Sequence, residues 1–434
     1  MNTRELYELY CHFPSVTTDT RKPVRGSIFF ALHGQKYDGN KFAADALEKG
    51  AAYTVVDDPS VITDKRCILV NNTLTTLQDL ATYHRSKLRS GIIAVTGSNG
   101  KTTTKEMISR ILSQKYQVFS TPGNLNNHIG VPLTILGIRQ EHQIAVVEIG
   151  ANHIGEISML CRITQPAYGL VTNIGRAHLE GFGSVTGVRK AKGELYEYLA
   201  ETHGCTFANC EDSILMNMLK NFRGTIIHYG HCTDALCTAE ILETHPYLAL
   251  MLIFGKDPGI QLPVRTHLVG HYNLENILAA ATIGHYFNIG PEKIIQAIEG
   301  YFPELLRSQM EKTKYNKIIV DAYNANPTSM EAALMNFIQY PDKHKVLILG
   351  EMKELGDSSR KEHTNLTRLI QKMGFRHIFL VGEAYEGIDI PGEWQCFRNV
   401  EEMTGKLKKE PIKHATILLK GSRAVELEKL IPCL

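Results

Sequence analysis

One octapeptide constrains this chain more than any other feature: Thr96-Gly97-Ser98-Asn99-Gly100-Lys101-Thr102-Thr103. It follows an apolar, β-branched run, Ile92–Thr96. It precedes a stretch whose apolar residues Met107, Ile108, Ile111 and Leu112 fall at helical spacing. Strand, glycine loop and helix in that order are the context a phosphate-binding loop requires. Gly97 and Gly100 let backbone N–H groups face an anion, with Ser98, Asn99 and Thr103 around it, and the helix start adds partial positive charge. Lys101 would reach the β/γ-phosphates and the Thr102 hydroxyl would ligate Mg²⁺. The loop departs from the common GxxxxGK[ST] pattern, because Val95 stands where its first glycine would be.

The rest of the chain organises around this loop. With 434 residues, and at roughly 150 per domain, three domains are expected. Residues 1–88 read as a small α/β unit with strands at Ser27–Leu32, Ala52–Asp57 and Cys67–Val70 and helices at Phe42–Lys49 and Leu74–Leu88. Residues 89–302 form a central P-loop domain. Its strands Ile92–Thr96, Ile144–Ile149 and Gly169–Asn173 alternate with helices such as Val185–Leu199 and Leu274–Phe287. That alternation predicts a mostly parallel sheet covered on both faces. Residues 239–270 hold two strand-like runs with no helix between them, an antiparallel patch. Residues 303–434 show four apolar strands, Lys317–Ala322, Val346–Gly350, His377–Gly382 and Ile417–Gly421, with helical segments between, which predicts a Rossmann-like C-terminal domain. The fold class is therefore α/β in three domains.

Composition narrows the partners. There are 47 basic and 45 acidic residues, a net charge of +2, which excludes a strongly cationic nucleic-acid binder. Met1–Tyr10 has no apolar signal region, and no apolar stretch approaches the ~20 residues that span a bilayer. A cytoplasmic protein with no membrane span is expected, and a monomer by default. The nine cysteines are odd in number and scattered, which suits reduced thiols better than a disulfide framework. Cys205/Cys210 and Cys232/Cys237 make two pairs with four residues between the members. Zinc pairs are usually tighter, so these read as small buried hydrophobes.

Several further residues sit where chemistry happens in such folds. Glu148 ends a strand near the phosphate loop; it is either an exposed acidic strand end or a carboxylate that holds a metal over the β/γ-phosphates. His178 lies just past the strand Gly169–Asn173. Lys192 lies in the helix-like stretch Arg189–Glu194. By spacing alone, a structural histidine and a solvated lysine are the ordinary readings of both. Asn273 is placed as a helix N-cap, and the Asn276 amide one turn on could face a purine, offering donor and acceptor. Arg307 could clamp phosphate, and Asp321, at a strand end, ribose hydroxyls. Asn326, before Pro327, caps the next helix. Tyr323, Glu351 and Lys420 also stand at or just past strand ends.

Taken together, these segments resemble the Mur ligase family, the ATP-dependent amino-acid ligases of peptidoglycan synthesis, over essentially the whole chain. The phosphate loop TGSNGKTT, with its shortened first half, is the family's form. NLNNHIGVPLT (Asn124–Thr134), EIGANHIGEI (Glu148–Ile157), TNIGRAHLEGFGS (Thr172–Ser184), DAYNANPTSMEAAL (Asp321–Leu334), LGEMKELG (Leu349–Gly356) and KGSR (Lys420–Arg423) carry the rest. Within the family they are most similar to the branch that adds a dipeptide rather than a single amino acid. The resemblance implies an N-terminal UDP-sugar-binding domain, a central ATPase and a C-terminal domain that closes over ATP. It implies UDP-N-acetylmuramoyl-tripeptide and D-alanyl-D-alanine as substrates, joined through an acyl phosphate.

It also implies roles residue by residue. Lys101 would bind phosphate, Thr102 and Glu148 a first Mg²⁺, and His178 would contribute to a second. Lys192 falls where the family has a lysine that can be carbamylated and so bind metal. Asn276 would contact adenine, Arg307 phosphate, Asp321 ribose and Asn127 the γ-phosphate. Asp19-Thr20-Arg21, Gly26–Phe29 and Gly34–Gly39 resemble the UDP-sugar site, with Thr20, Gln35 and Lys36 as its contacts, and Asn324 would also bind substrate. Where the family often reads Gly-Arg, this chain has Leu306-Arg307-Ser308-Gln309, so the arginine stays and the glycine does not. A sister ligase that adds one amino acid, a folylpolyglutamate-synthase-like ligase and a non-catalytic ATP switch are the rival readings. The UDP-sugar-like N-terminal unit speaks against the second and the full set of catalytic residues against the third.

Overall fold

In the computed structural model, which describes residues 1–34, 37–255, 259–304 and 306–434, the chain builds three larger sheets and a two-stranded ribbon. The first sheet is all parallel, in the order Val16–Thr17, Ile28–Phe30, Tyr53–Val56, Cys67–Leu69. The helix Thr3–His12 precedes it and Thr73–Lys87 follows it. Two of its core strands are buried almost throughout, as a sheet covered on both faces demands.

The second sheet has nine strands. From one edge they run Val118–Ser120, Ile144–Glu148, Gly91–Thr96, Tyr168–Val171, Cys205–Asn209, Thr225–Tyr229, then Cys237–Glu243, Ala249–Phe254 and Ile260–Arg265. Pairing is parallel up to Cys237–Glu243 and antiparallel over the last three. The expected antiparallel patch is therefore a three-stranded meander on a parallel sheet. Alternation along Gly91–Thr96 splits its side chains between two cores. Ile93 and Val95 pack with Ile108 and Ile111 of helix Lys101–Leu112 and with Ile277 and Ile283 of helix Asn273–Tyr286. Ile92 and Ala94 face Leu160, Val188 and Leu195 on the other side.

The third sheet runs Gln309–Lys312, Lys317–Asp321, Thr416–Lys420, Lys345–Gly350, His377–Val381, Gln395–Phe397. All its pairs are parallel except the first. The four strands read from the sequence are all present within a residue or two. Leu306 and Ser308 have φ of +59° and +49°. Left-handed backbone is costly for a residue with a Cβ, and Leu306 meets it where the family's glycine would be free of that cost.

The thiols depart from expectation at one place. Cys210 and Cys232 form a disulfide, with Cα atoms 6.4 Å apart. Neighbouring strands Cys205–Asn209 and Thr225–Tyr229 run in parallel register, Asn209 opposite Tyr229, so the segments leaving them meet. Cys205 and Cys237 are free and buried. The reading of reduced, buried thiols therefore holds for Cys205 and Cys237 and fails for Cys210 and Cys232. No described helix is long and apolar enough to cross a membrane.

Candidate active site

Ligands in open α/β sheets gather outside the carboxyl ends of the strands, where chain order switches. In the nine-stranded sheet that point is Gly91–Thr96, flanked by Tyr168–Val171 and Ile144–Glu148. The phosphate loop leaves it there. Both loop glycines are sterically required. A Cβ on Gly97 (φ +141°) would lie 2.0 Å from Thr172 Oγ1, and one on Gly100 (φ +80°) 2.3 Å from Asn276 Oδ1. The loop is braced from the next strand: Asn99 N donates to Asn173 Oδ1 (3.0 Å) and Gly175 N donates to Ser98 Oγ (2.8 Å). Lys101 Nζ curls onto Gly97 O and Ser98 O at 2.8 and 3.2 Å. Burial pushes the Lys101 ammonium pKa down, and Glu148 opposes that shift.

Glu148 is 1% exposed, so the exposed strand-end reading is excluded. Thr102 Oγ1 donates to its Oε2 (2.8 Å) and Asn126 Nδ2 to its Oε1 (2.7 Å). Lys105, also buried, donates to Thr121 O (2.9 Å) and Gly123 O (3.1 Å), and Glu148 N donates to Thr121 Oγ1 (2.9 Å). A hydroxyl and a carboxylate with both oxygens oriented form a hard-oxygen donor set. That set fits Mg²⁺, which prefers one or two carboxylates beside phosphate oxygens and water.

His178 precedes the short helix Leu179–Phe182. Its Nδ1 lies 2.6 Å from Glu354 Oε2, a residue of the C-terminal part. The imidazole beside it lowers the Glu354 carboxyl pKa, burial opposing, with Lys101 adding a smaller pull. Lys192 is not a solvated lysine. It is 1% exposed in helix Val185–Glu201, with Nζ 5.4 Å from the Phe182 ring centroid. Burial, then repulsion from Lys101, pushes its pKa down to about 7. A buried amine that is half neutral at pH 7 fits the carbamylation reading, because only the free amine adds carbon dioxide.

Asn273 is the first residue of its helix and Tyr272 stands at the cap, so the N-cap expectation is off by one. Asn273 Nδ2 instead donates to Val269 O (2.9 Å) and its Oδ1 accepts from Asn276 Nδ2 (2.9 Å). Asn276 Oδ1 accepts from Thr104 Oγ1 (3.0 Å). Asn276 thus ties its helix to the helix that leaves the phosphate loop, leaving one amide hydrogen for a base.

From the third sheet, the Arg307 guanidinium stacks 3.6 Å from the Tyr323 ring centroid. Its Nε is buried with no hydrogen-bond partner among the described residues, as a group awaiting an anion would be. Lys420, 1% exposed at the end of its strand, donates to Asp321 Oδ2 (2.6 Å). Asn326 caps helix Pro327–Ile338 as expected and also reaches across, its Nδ2 donating to Asn99 Oδ1 (2.8 Å).

Lys101, Thr102, Glu148, His178, Arg307 and Asp321 line one cavity of about 690 Å³, and Asn127, Asn276 and Asn324 border it as well. Its size suits a nucleotide-class ligand. Lys192 is not in its wall. Thr20 also lies apart, its backbone O accepting from Lys49 Nζ (3.1 Å). Gln35 and Lys36 fall outside the described residues. Asn126, Lys105 and Glu354 were not singled out by sequence. Asn126 adjoins Asn127 in NLNNHIG, and Glu354 lies in LGEMKELG, but neither carries a mark of its own in the sequence.

Comparison with known proteins agrees with this geometry. Residues 12–116 match the Mur ligase family catalytic domain, 95–284 the Mur ligase middle domain and 307–423 the Mur ligase glutamate ligase domain. The chain is 35% identical to the UDP-N-acetylmuramoyl-tripeptide–D-alanyl-D-alanine ligase of Bacillus subtilis, over 96% of this chain and 92% of that one. Identity to the Escherichia coli enzyme of the same name is 34%, over 97% and 93%. A crystal structure of MurF from Acinetobacter baumannii superposes with a TM-score of 0.86 at 30% identity, covering 99% of this chain and 98% of that one. A Thermotoga maritima MurF ligase in complex with ADP shares the fold at 24% identity, with a TM-score of 0.83 over 96% of each chain. With its phosphate loop, metal-type carboxylate and Asp321–Lys420 pair gathered at one cavity, the chain belongs to the Mur ligase family.

Proposed function

We propose that this chain joins D-alanyl-D-alanine to the terminal carboxylate of UDP-N-acetylmuramoyl-tripeptide at the expense of ATP. The observation that carries this reading is full-length similarity to relatives named for that ligation. The single cavity shared by the phosphate loop, Arg307 and Asp321 supports it. The domain limits that go with it are 1–88 for the UDP-sugar peptide, 89–302 for ATP and 303–434 for closure over ATP and the dipeptide.

Amide formation from a carboxylate and an amine is uphill in water, so the carboxylate must be activated. The tripeptide carboxylate oxygen attacks the γ-phosphorus and ADP leaves, giving an acyl phosphate. The dipeptide amine then attacks the acyl carbon, loses a proton, and inorganic phosphate leaves. In this scheme Lys101 swings from its backbone carbonyls to the β/γ-phosphates, and the loop N–H groups hold the same oxygens. Arg307 clamps phosphate, Asp321 takes the ribose, Asn276 the adenine and Asn127 the γ-phosphate. Thr20, Gln35 and Lys36 contact the UDP-sugar, and Asn324 contacts substrate. Thr102 and Glu148 would hold one Mg²⁺, and His178 with carbamylated Lys192 a second. Bound there, the ions neutralise charge building on the transferred phosphoryl group. The chain's own work is positioning, which alone can supply several kcal/mol.

The test is phosphate release from ATP with UDP-N-acetylmuramoyl-tripeptide, with and without D-alanyl-D-alanine, and mass spectrometry of the product. Dipeptide-dependent release with a UDP-pentapeptide product is expected. Release that answers to a single amino acid or to glutamate instead would make a sister ligase or a folylpolyglutamate-type ligase the account. Release with no ligated product would leave an ATPase.

A further inference from the structure

We propose that Cys210, Cys232, His228 and Asp234 form a zinc site when the two cysteines are reduced. It lies outside the ligation cavity, and none of these residues lines that cavity. The backbone brings the four together. Strand Thr225–Tyr229 pairs in parallel with Cys205–Asn209, and Cys210 N donates to Tyr229 O (3.0 Å) just beyond. Gly230, at φ +103°, then turns the chain over the neighbouring loop. A Cβ there would lie 2.9 Å from Asn209 Oδ1 and 3.4 Å from Cys210 Sγ, so the turn that delivers Cys232 needs a glycine.

The donors converge. The sulfurs of Cys210 and Cys232 are bonded to each other. One ring nitrogen of His228, Cys232 Sγ and a carboxylate oxygen of Asp234 all lie within 4.8 Å of one another. His228 Nδ1 stands 2.9 Å from Asp234 Oδ2, a contact that an ion seated between these donors would replace. His228 Nε2 is buried and has no hydrogen-bond partner among the described residues. Two sulfurs, an imidazole and one carboxylate make a four-donor set that zinc favours in tetrahedral geometry. Sulfur donors disfavour Mg²⁺ and Ca²⁺.

Reduction is the switch. A dithiol reductant gives two electrons and two protons to the Cys210–Cys232 disulfide and is itself oxidised to a disulfide. Zn²⁺ then displaces the two thiol protons and binds the thiolates. A disulfide oxidant takes two electrons from the zinc-bound thiolates and is itself reduced to two thiolates, which restores the Cys210–Cys232 bond and releases the ion. The same two sulfurs serve one state or the other.

Cobalt reports on this directly. Full-length protein, reduced with a phosphine and stripped by a chelator, is titrated anaerobically with Co²⁺. The expected result is one cobalt per chain, with visible absorption of a tetrahedral site and a thiolate charge-transfer band, both abolished by Zn²⁺. Protein whose Cys210–Cys232 bond is left intact shows neither. Cys210→Ser, Cys232→Ser and His228→Gln each weaken cobalt binding about tenfold or more, while Cys11→Ser, at an exposed thiol, changes nothing. His228→Gln and Asp234→Asn retain both thiols, so they carry the test if a cysteine variant does not fold. Reduced wild-type protein without a charge-transfer band overturns the proposal. So does a band that survives in Cys210→Ser/Cys232→Ser.

Discussion

His178 Nδ1 lies 2.6 Å from Glu354 Oε2, and the two residues follow strands of different sheets, Tyr168–Val171 and Lys345–Gly350. Close by, Arg176 pairs with Glu331 (2.9 Å) and Glu362 (3.0 Å), and Asn326 reaches Asn99 (2.8 Å). The C-terminal part is thus latched to the phosphate-loop side by ion pairs and an amide–amide hydrogen bond. Glu354→Gln keeps the shape and removes the charge. We expect turnover to fall about tenfold, the equivalent of about 1.4 kcal/mol, with the fold intact by circular dichroism. Unchanged turnover would remove Glu354 from the site. The Glu354 pKa is lowered in the folded state. Its stabilising contribution is therefore complete above the ordinary carboxylate range and lost as pH falls through the folded value. Hydrogen exchange at this interface should rise on acidification in the wild type and less in Glu354→Gln.

Among the described residues the Lys101 ammonium makes two hydrogen bonds, both to loop carbonyls, so the fold depends little on its side chain. Lys101→Ala should abolish turnover and leave the melting temperature within a few degrees. Near-normal activity would remove this loop from the chemistry.

Asn126 holds one oxygen of Glu148 and Thr102 the other. Without the Asn126 amide, Glu148 keeps its burial but loses an oriented donor. Asn126→Ala should weaken Mg²⁺ dependence of the reaction by about tenfold or more, read as the Mg²⁺ concentration for half-maximal rate. A shift in the KM for D-alanyl-D-alanine alone would place Asn126 elsewhere.

How much of this was legible from sequence depends on the distance between partners. The phosphate loop was readable because strand, glycines, lysine and helix lie within one short stretch. Asp321 was readable because an apolar strand points to its own carboxyl end. Glu354 and Asn126 have no such local mark; their meaning comes from His178 and Glu148, which tertiary packing delivers. Asn326 reads locally as a cap, and only the fold shows its second bond, to a residue 227 positions away. Lys192 reads as solvated because its neighbours Lys190 and Arg189 are, yet helical rotation turns it inward between Ala191 and Leu195, both buried. The disulfide follows the same rule, since parallel register rather than sequence spacing matched Cys210 with Cys232.

Gly100 offers a test of loop packing. Alanine there combines a left-handed φ of +80° with a Cβ 2.3 Å from Asn276 Oδ1. Gly100→Ala should cost about 1–3 kcal/mol of stability, measured by urea unfolding. Adding Asn276→Ala removes the clash and not the backbone strain, so the double variant should recover part of the loss, a non-additive pair. Full additivity would mean the two residues do not touch.

Lys192 combines a stability argument with a chemical one. Its folded pKa, about 7, lies below that of a free lysine because burial disfavours the ammonium. The unfolded chain therefore binds more protons between about pH 7 and the ordinary lysine value near 10.4. Stability owed to this group must rise with pH across that window, by at most about 1.4 kcal/mol per unit. Lys192→Met has no such term. Its stability relative to the wild type should be greatest at and below pH 7 and shrink towards pH 9, in paired thermal melts. Its ligation activity should be lost and not restored by bicarbonate. Wild-type protein should in turn gain a carbamate signal from ¹³C-labelled bicarbonate as pH rises through 7, because the free amine is the nucleophile. A stability difference independent of pH would mean Lys192 keeps its ordinary pKa, and wild-type activity in Lys192→Met would exclude a carbamate role.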